Sequence, residues 1–143
     1  MRRSLRNAVQ LRANDLCEYC RCPATHTTDV FEVEHIHPEA RGGTDDLSNL
    51  AFSCSGCNTF KQAATVAVDP ETEQEASLFH PRLQTWKDHF EWDNSRTIAV
   101  GITPTGRATV ERLRINRESG VNLRRVLLGA GLHPPVEPNS QVQ

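Results

Sequence analysis

Hydrophobic positions along this chain recur with two different periods, and each change of period marks an element. Leu5, Ala8, Val9 and Ala13 fall at helical spacing behind Ser4, a residue suited to an N-cap, and Asn14 suits the C-terminal stop. Residues 16–20 break that period and read as a tight turn. Residues 29–37 alternate as a strand closed by Pro38, residues 41–46 form a Gly- and Asp-rich loop, and Leu47 to Ser53 reads as a return strand. Residues 54–57 predict a second turn and Asn58 to Ala64 a short helix.

From about residue 67 the pattern weakens into an acidic, Pro-containing connector, Asp69-Pro70-Glu71-Thr72-Glu73-Gln74-Glu75. A cluster of Phe79, Trp86, Phe90 and Trp92 follows, and then a strand region over 96–103 with Ile98, Val100 and Ile102 alternating. Pro104 suits a first helical position with a threonine as cap, and a further helix is expected over roughly 120–129. The expected organisation is a unit over 1–66, an extension over 67–133 packed on it, and a disordered Pro-rich tail over 134–143. The class is α+β.

Composition narrows the options. At 143 residues with 37% hydrophobic positions, each half is marginal as a core and would gain from a covalent or metal staple. No run of about 20 apolar residues is present, so no membrane partner is expected. The basic start has no apolar stretch behind it, which makes a reducing, cytoplasmic setting the default expectation. In that setting paired cysteines point to metal more often than to disulfides.

The net charge of −2 excludes nothing, but its distribution is uneven. Arg2, Arg3, Arg6 and Arg12 lie near the start without acids, and six arginines fall within 105–128, on either side of an acidic middle. Such ends can present a phosphate-facing surface, or simply solvated helix faces.

Of the five cysteines, four form two Cys-x-x-Cys pairs, Cys17/Cys20 and Cys54/Cys57. A Cys-x-x-Cys turn aims both sulfurs at one point, and two such turns complete the tetrahedral shell of a structural Zn2+. The 33 residues between Cys20 and Cys54 hold a strand, a loop and a return strand, so the metal would clamp the base of a hairpin. A redox pair or unpaired buried thiols are the competing readings; two pairs in one chain favour zinc. Cys22 is left over.

The hairpin so clamped carries Val33-Glu34-His35-Ile36-His37-Pro38, then Gly42-Gly43, Asn49-Leu50, and Cys57-Asn58-Thr59-Phe60-Lys61. This series, over residues 5–62, resembles the HNH endonuclease family. The resemblance implies a zinc-stabilised ββα-metal (His-Me finger) core with a mixed α+β C-terminal extension, and hydrolysis of phosphodiester bonds. On it, His35 is the general base, Glu34 and Asn58 hold a catalytic Mg2+ or Mn2+, Asn49 orients the His35 segment, and Lys61 lies near the phosphate. The residue types suit the task, because imidazole titrates near neutral pH and carboxylate and amide oxygens are hard ligands. The family's usual acid is Asp where this chain has Glu34, and its last ligand is often His where this chain has Asn58.

On a regular strand Glu34 and His35 face opposite sides while His35 and His37 share one, which leaves His37 as an alternative base. Candidate nucleic-acid contacts are His37, Arg41, Arg82, His89 and Arg107. DNA is the expected partner and RNA the second; a non-catalytic zinc-dependent nucleic-acid-binding module and a protein-interaction adaptor are the competing functions.

Overall fold

The computed structural model describes residues 1–137. The first helix, α1 (Arg3–Arg12), begins one residue before Ser4, so Ser4 lies inside it rather than capping it, and Arg2 at the N-cap offers no side-chain cap. The chain leaves the helix through left-handed Asn14 and Asp15, conformations that short polar side chains tolerate. Beyond the first cysteine pair, β1 (Glu32–His35) and β2 (Leu50–Ser53) form an antiparallel pair in the register Val33 to Phe52 and His35 to Leu50. Both strands are shorter than their hydrophobic runs, because the chain turns away at Ile36 and returns through a helical turn, Leu47–Asn49.

The next helix, α2 (Ser55–Lys61), starts earlier than its composition predicts. Cys54 is its N-cap, its sulfur accepting from the Cys57 amide at 3.4 Å, so the second cysteine pair is itself the helix start. The acidic connector is also structured: β3 (Val66–Val68) and β4 (Glu75–Ser77) pair antiparallel. Its Asp69 is buried and grips Arg107 through two 3.0 Å hydrogen bonds. A third hairpin, β5 (Phe90–Trp92) with β6 (Ala99–Gly101), leads into α3 (Pro104–Leu113), where Thr103 Oγ1 accepts from the Gly106 amide at 3.0 Å. The last helix is α4 (Glu118–Gly129).

One continuous buried cluster draws on both stretches of the chain: Val9, Tyr19, Leu50 and Phe52 from the first, Phe79, Trp86, Phe90, Leu113 and Ile115 from the second. The aromatic residues supply the join. Trp86 stacks on Phe90 at 4.9 Å, Phe79 meets Tyr19 edge-on at 6.5 Å, and the Trp86 indole donates to the Tyr19 carbonyl at 2.9 Å.

The disorder expected from Pro134 does not apply to residues 134–137. Glu137 forms a two-pronged ion pair with Arg21, at 2.9 and 2.7 Å, which fixes this segment against the core. The remainder of that expected tail, residues 138–143, lies outside the described residues. Among the described residues, no helix is long and apolar enough to cross a membrane.

Candidate functional site

The cysteine pairs meet as their spacing requires. Cys17, Cys20, Cys54 and Cys57 are all buried, with their four sulfurs within 4.8 Å of one another. The Cys20 and Cys57 amides point at the sulfurs of Cys17 and Cys54, at 3.5 and 3.4 Å. Four converging soft donors with amide hydrogen bonds to the thiolates suit Zn2+, and the closed shell suits a structural ion. Cys22 is half-buried and stands outside this group.

The alternation of β1 then divides the motif between two environments. Glu34 turns inward and is 5% exposed. Its Oε2 accepts from the Tyr19 hydroxyl at 2.6 Å, and its Oε1 pairs with the Lys61 ammonium. Burial pushes the Glu34 carboxyl above its ordinary range, against the opposing pull of Lys61 and Tyr19. Burial and the neighbouring Glu34 charge likewise push the Tyr19 hydroxyl up, so it stays protonated and donates.

The expected pairing of Glu34 with Asn58 is therefore not the one assembled. Asn58 and Lys61 lie three residues apart on one face of α2, so each meets a different carboxylate of β1: the Asn58 amide donates to Glu32, and Lys61 meets Glu34. Lys61 is 2% exposed, which withdraws it from contact with a phosphate. A buried carboxylate without a cation beside it would be costly, and Lys61 supplies that cation.

His35 faces the other way, at the end of β1. Its Nε2 lies 2.7 Å from Asp45 Oδ1 and its Nδ1 3.3 Å from Glu39 Oε1, with both carboxylates exposed to solvent. These three residues place one ligand atom each within 4.8 Å of one another. The loop that carries Glu39 and Asp45 is fixed by Asn49. Its Oδ1 accepts from the His37 amide at 2.8 Å, and its Nδ2 donates to the carbonyls of His37 and Thr44 at 3.1 and 2.9 Å. From the other side Arg12 of α1 donates to the carbonyls of Leu47 and Leu50, at 2.8 and 2.6 Å. His37 is engaged locally, its Nε2 3.0 Å from the Arg41 carbonyl.

The remaining candidate contacts are spread apart, and most are already occupied. Arg82 pairs with Glu18 and donates to the Leu50 carbonyl at 2.9 Å. His89 Nδ1 lies 2.7 Å from Thr103 Oγ1, and Arg107 is held by Asp69 and Glu71. Arg41 is exposed, at the end of the short helical turn that begins at Glu39. Of the six arginines of 105–128, Arg114 and Arg125 are exposed, while Arg107, Arg112, Arg117 and Arg124 are drawn into the fold rather than arrayed for phosphate. Arg112 donates to the Phe60 and Lys61 carbonyls, Arg124 is buried against the Thr97 and Ile115 carbonyls, and Arg117 points at cysteine sulfur.

Against this geometry, the family model described as HNH endonuclease matches residues 17–63, the span that holds both cysteine pairs, His35, Asn49 and Asn58. Residues 17–63 are an HNH domain. The Septu protein PtuB of Bacillus thuringiensis is 26% identical to the chain over 127 residues, covering 87% of this chain and 46% of that protein. The chain thus spans about half the length of the curated relative it matches. No solved structure matches the chain significantly.

Three partners within the HNH domain are additions to the residues the sequence pattern singles out. Asp45 and Glu39 flank His35, and Tyr19 closes over Glu34. The signals were present: an acid four residues after His35, an acid in the Gly-Gly-Thr-Asp-Asp loop, and a tyrosine inside the first cysteine turn.

Proposed function

We propose that this chain is a metal-dependent endonuclease that hydrolyses phosphodiester bonds in DNA, with His35 taking the proton of the attacking water. The observation that carries this reading is the placement of His35. It stands at the end of a zinc-clamped strand, between two solvent-facing carboxylates, on a loop braced by Asn49. The shorter of the two His35 carboxylate contacts, Nε2 to Asp45 at 2.7 Å against Nδ1 to Glu39 at 3.3 Å, favours the neutral ring with its proton on Nε2 and Nδ1 as the base. Asn49 acts through the loop: its bonds to the His37 backbone hold the turn that follows His35. His37, the other candidate base, is committed to the Arg41 carbonyl, which favours His35.

A hard divalent cation such as Mg2+ or Mn2+ would neutralise charge on the phosphate and the leaving oxygen. Two donor sets compete for it. The family resemblance assigns Glu34 and Asn58, which would require Glu34 to release Lys61. The exposed carboxylates Glu39 and Asp45, beside His35, are the accessible oxygen donors. Geometry favours the second set.

A plasmid-nicking assay across a Mg2+ and Mn2+ series, with RNA of matching sequence as a second substrate, tests this reading. Cleavage should need the cation and stop with EDTA. Asp45→Asn should raise the cation concentration required more than Glu34→Gln does, with zinc content and folding checked in both. Intact DNA at every metal tried, together with salt-sensitive binding, would favour a binding module instead.

A further inference from the structure

A zinc ion held by four thiolates carries surplus negative charge, and a buried charge needs a partner. The amides of the two cysteine turns supply neutral donors only. The charged donor comes from outside the HNH domain. Arg117, at the N-cap of α4, sends its guanidinium back across α2 onto the second cysteine pair: Nη2 lies 3.2 Å from Cys54 Sγ, and Nη1 lies 3.6 Å from Cys57 Sγ. Its placement is fixed by carbonyls at the end of α3, with Nη1 3.1 Å from the Arg114 oxygen and 3.4 Å from that of Leu113.

The x-x positions of the second pair show the same accommodation. Residue 56 is glycine, and a Cβ built there would stand 2.6 Å from Arg117 Nη2 and 2.8 Å from its Cζ. The α2 backbone is ordinary helix at this position, so the need is for space rather than for a special conformation. Gly56 leaves open the slot through which the guanidinium reaches both sulfurs.

We infer that Arg117 is a zinc-positioning residue supplied by the C-terminal extension, neutralising the Cys54 and Cys57 thiolates through the space left by Gly56. The fork suits this task better than an ammonium, because one planar group reaches two sulfurs at once. The extension therefore contributes to metal retention directly, in addition to packing on the core. Hydrogen-bonding partners of this kind are worth about 10–100-fold in metal affinity.

The test uses the full chain loaded with zinc, comparing Arg117→Ala, Arg117→Lys and Gly56→Ala with the parent protein. Zinc affinity is read by competition with a chromogenic chelator. The sulfur-to-metal charge-transfer band is read after Co2+ replaces zinc. Arg117→Ala should weaken zinc by about 10–100-fold and shift the Co2+ band, because thiolates that lose a charged donor become stronger electron donors. Arg117→Lys should recover part of the loss, and Gly56→Ala should reproduce it with Arg117 still present. A merely structural Arg117 would alter the urea midpoint yet leave the charge-transfer band in place. Should Arg117→Ala fail to fold, the other two variants decide: parental zinc affinity and an unmoved Co2+ band in both would overturn the inference.

Discussion

Glu34 and Lys61 show how one side chain's surroundings decide its role. Both are nearly inaccessible, and each is the other's counter-charge, with Tyr19 completing the carboxylate's coordination. Removing one partner of such a pair leaves an uncompensated buried charge, a loss of about 3–5 kcal/mol, whereas removing both charges together costs far less. Lys61→Met should therefore destabilise strongly in urea unfolding, and the double variant Glu34→Gln with Lys61→Met should recover most of that loss. If the single and double variants were equally unstable, Lys61 would not be the counter-charge of Glu34. That two-residue alternation would separate Glu34 from His35 was readable from the sequence. That Lys61 would turn inward was not, since a lysine after a cysteine pair gives no sign of which carboxylate it will meet.

At the scale of elements, the hairpin β1–β2 and the helix α2 form a frame whose members are joined by side chains. Farther along the chain, Asp69, buried at the turn between β3 and β4, ties that hairpin to Arg107 of α3. The Arg107 guanidinium holds the Asp69 carboxyl well below the usual carboxylate range. A carboxylate whose folded value is depressed adds stability above its unfolded value, near pH 3.9, and that stability is lost as the pH falls towards the folded value. Arg107→Ala should thus be less stable than the parent at neutral pH, with the gap narrowing as urea midpoints are followed down through pH 4 towards pH 2. A gap that stayed constant or widened on acidification would contradict the assignment.

The same elements show what the sequence made legible. The α3 start was readable because Thr103 and Pro104 carry their own local signal, cap and fixed φ. The β3–β4 hairpin was not, because its strands of three residues are mostly exposed and its turn is acidic, so composition resembled a linker. The α2 start is hidden for the opposite reason: the Cys-x-x-Cys spacing predicts a separate turn, whereas Cys54 is the cap of the helix.

For the whole molecule, a single core spans both stretches, and four sulfurs lie where the two cysteine turns meet. Structural zinc contributes about 10–16 kcal/mol of apparent binding free energy, against a folding margin of about 5–15 kcal/mol. Withdrawing zinc with a strong chelator should therefore collapse the far-ultraviolet circular dichroism cooperatively, and added Zn2+ should restore it. Persistence of the full signal in metal-free protein would show that the core stands without the clamp. The charge distribution also reads differently at this scale, because the arginines of 105–128 serve mainly as interior ties to carbonyls, carboxylates and cysteine sulfur.

The central claim is that the imidazole at the end of the clamped strand is the base for phosphodiester cleavage. Single-turnover cleavage of supercoiled DNA by the parent chain and by His35→Ala, at saturating divalent cation and with bound zinc quantified in both, tests it most directly. The account predicts about a 10²–10⁴-fold fall in the cleavage rate with zinc content and unfolding midpoint retained. Parental cleavage by zinc-replete His35→Ala would contradict it.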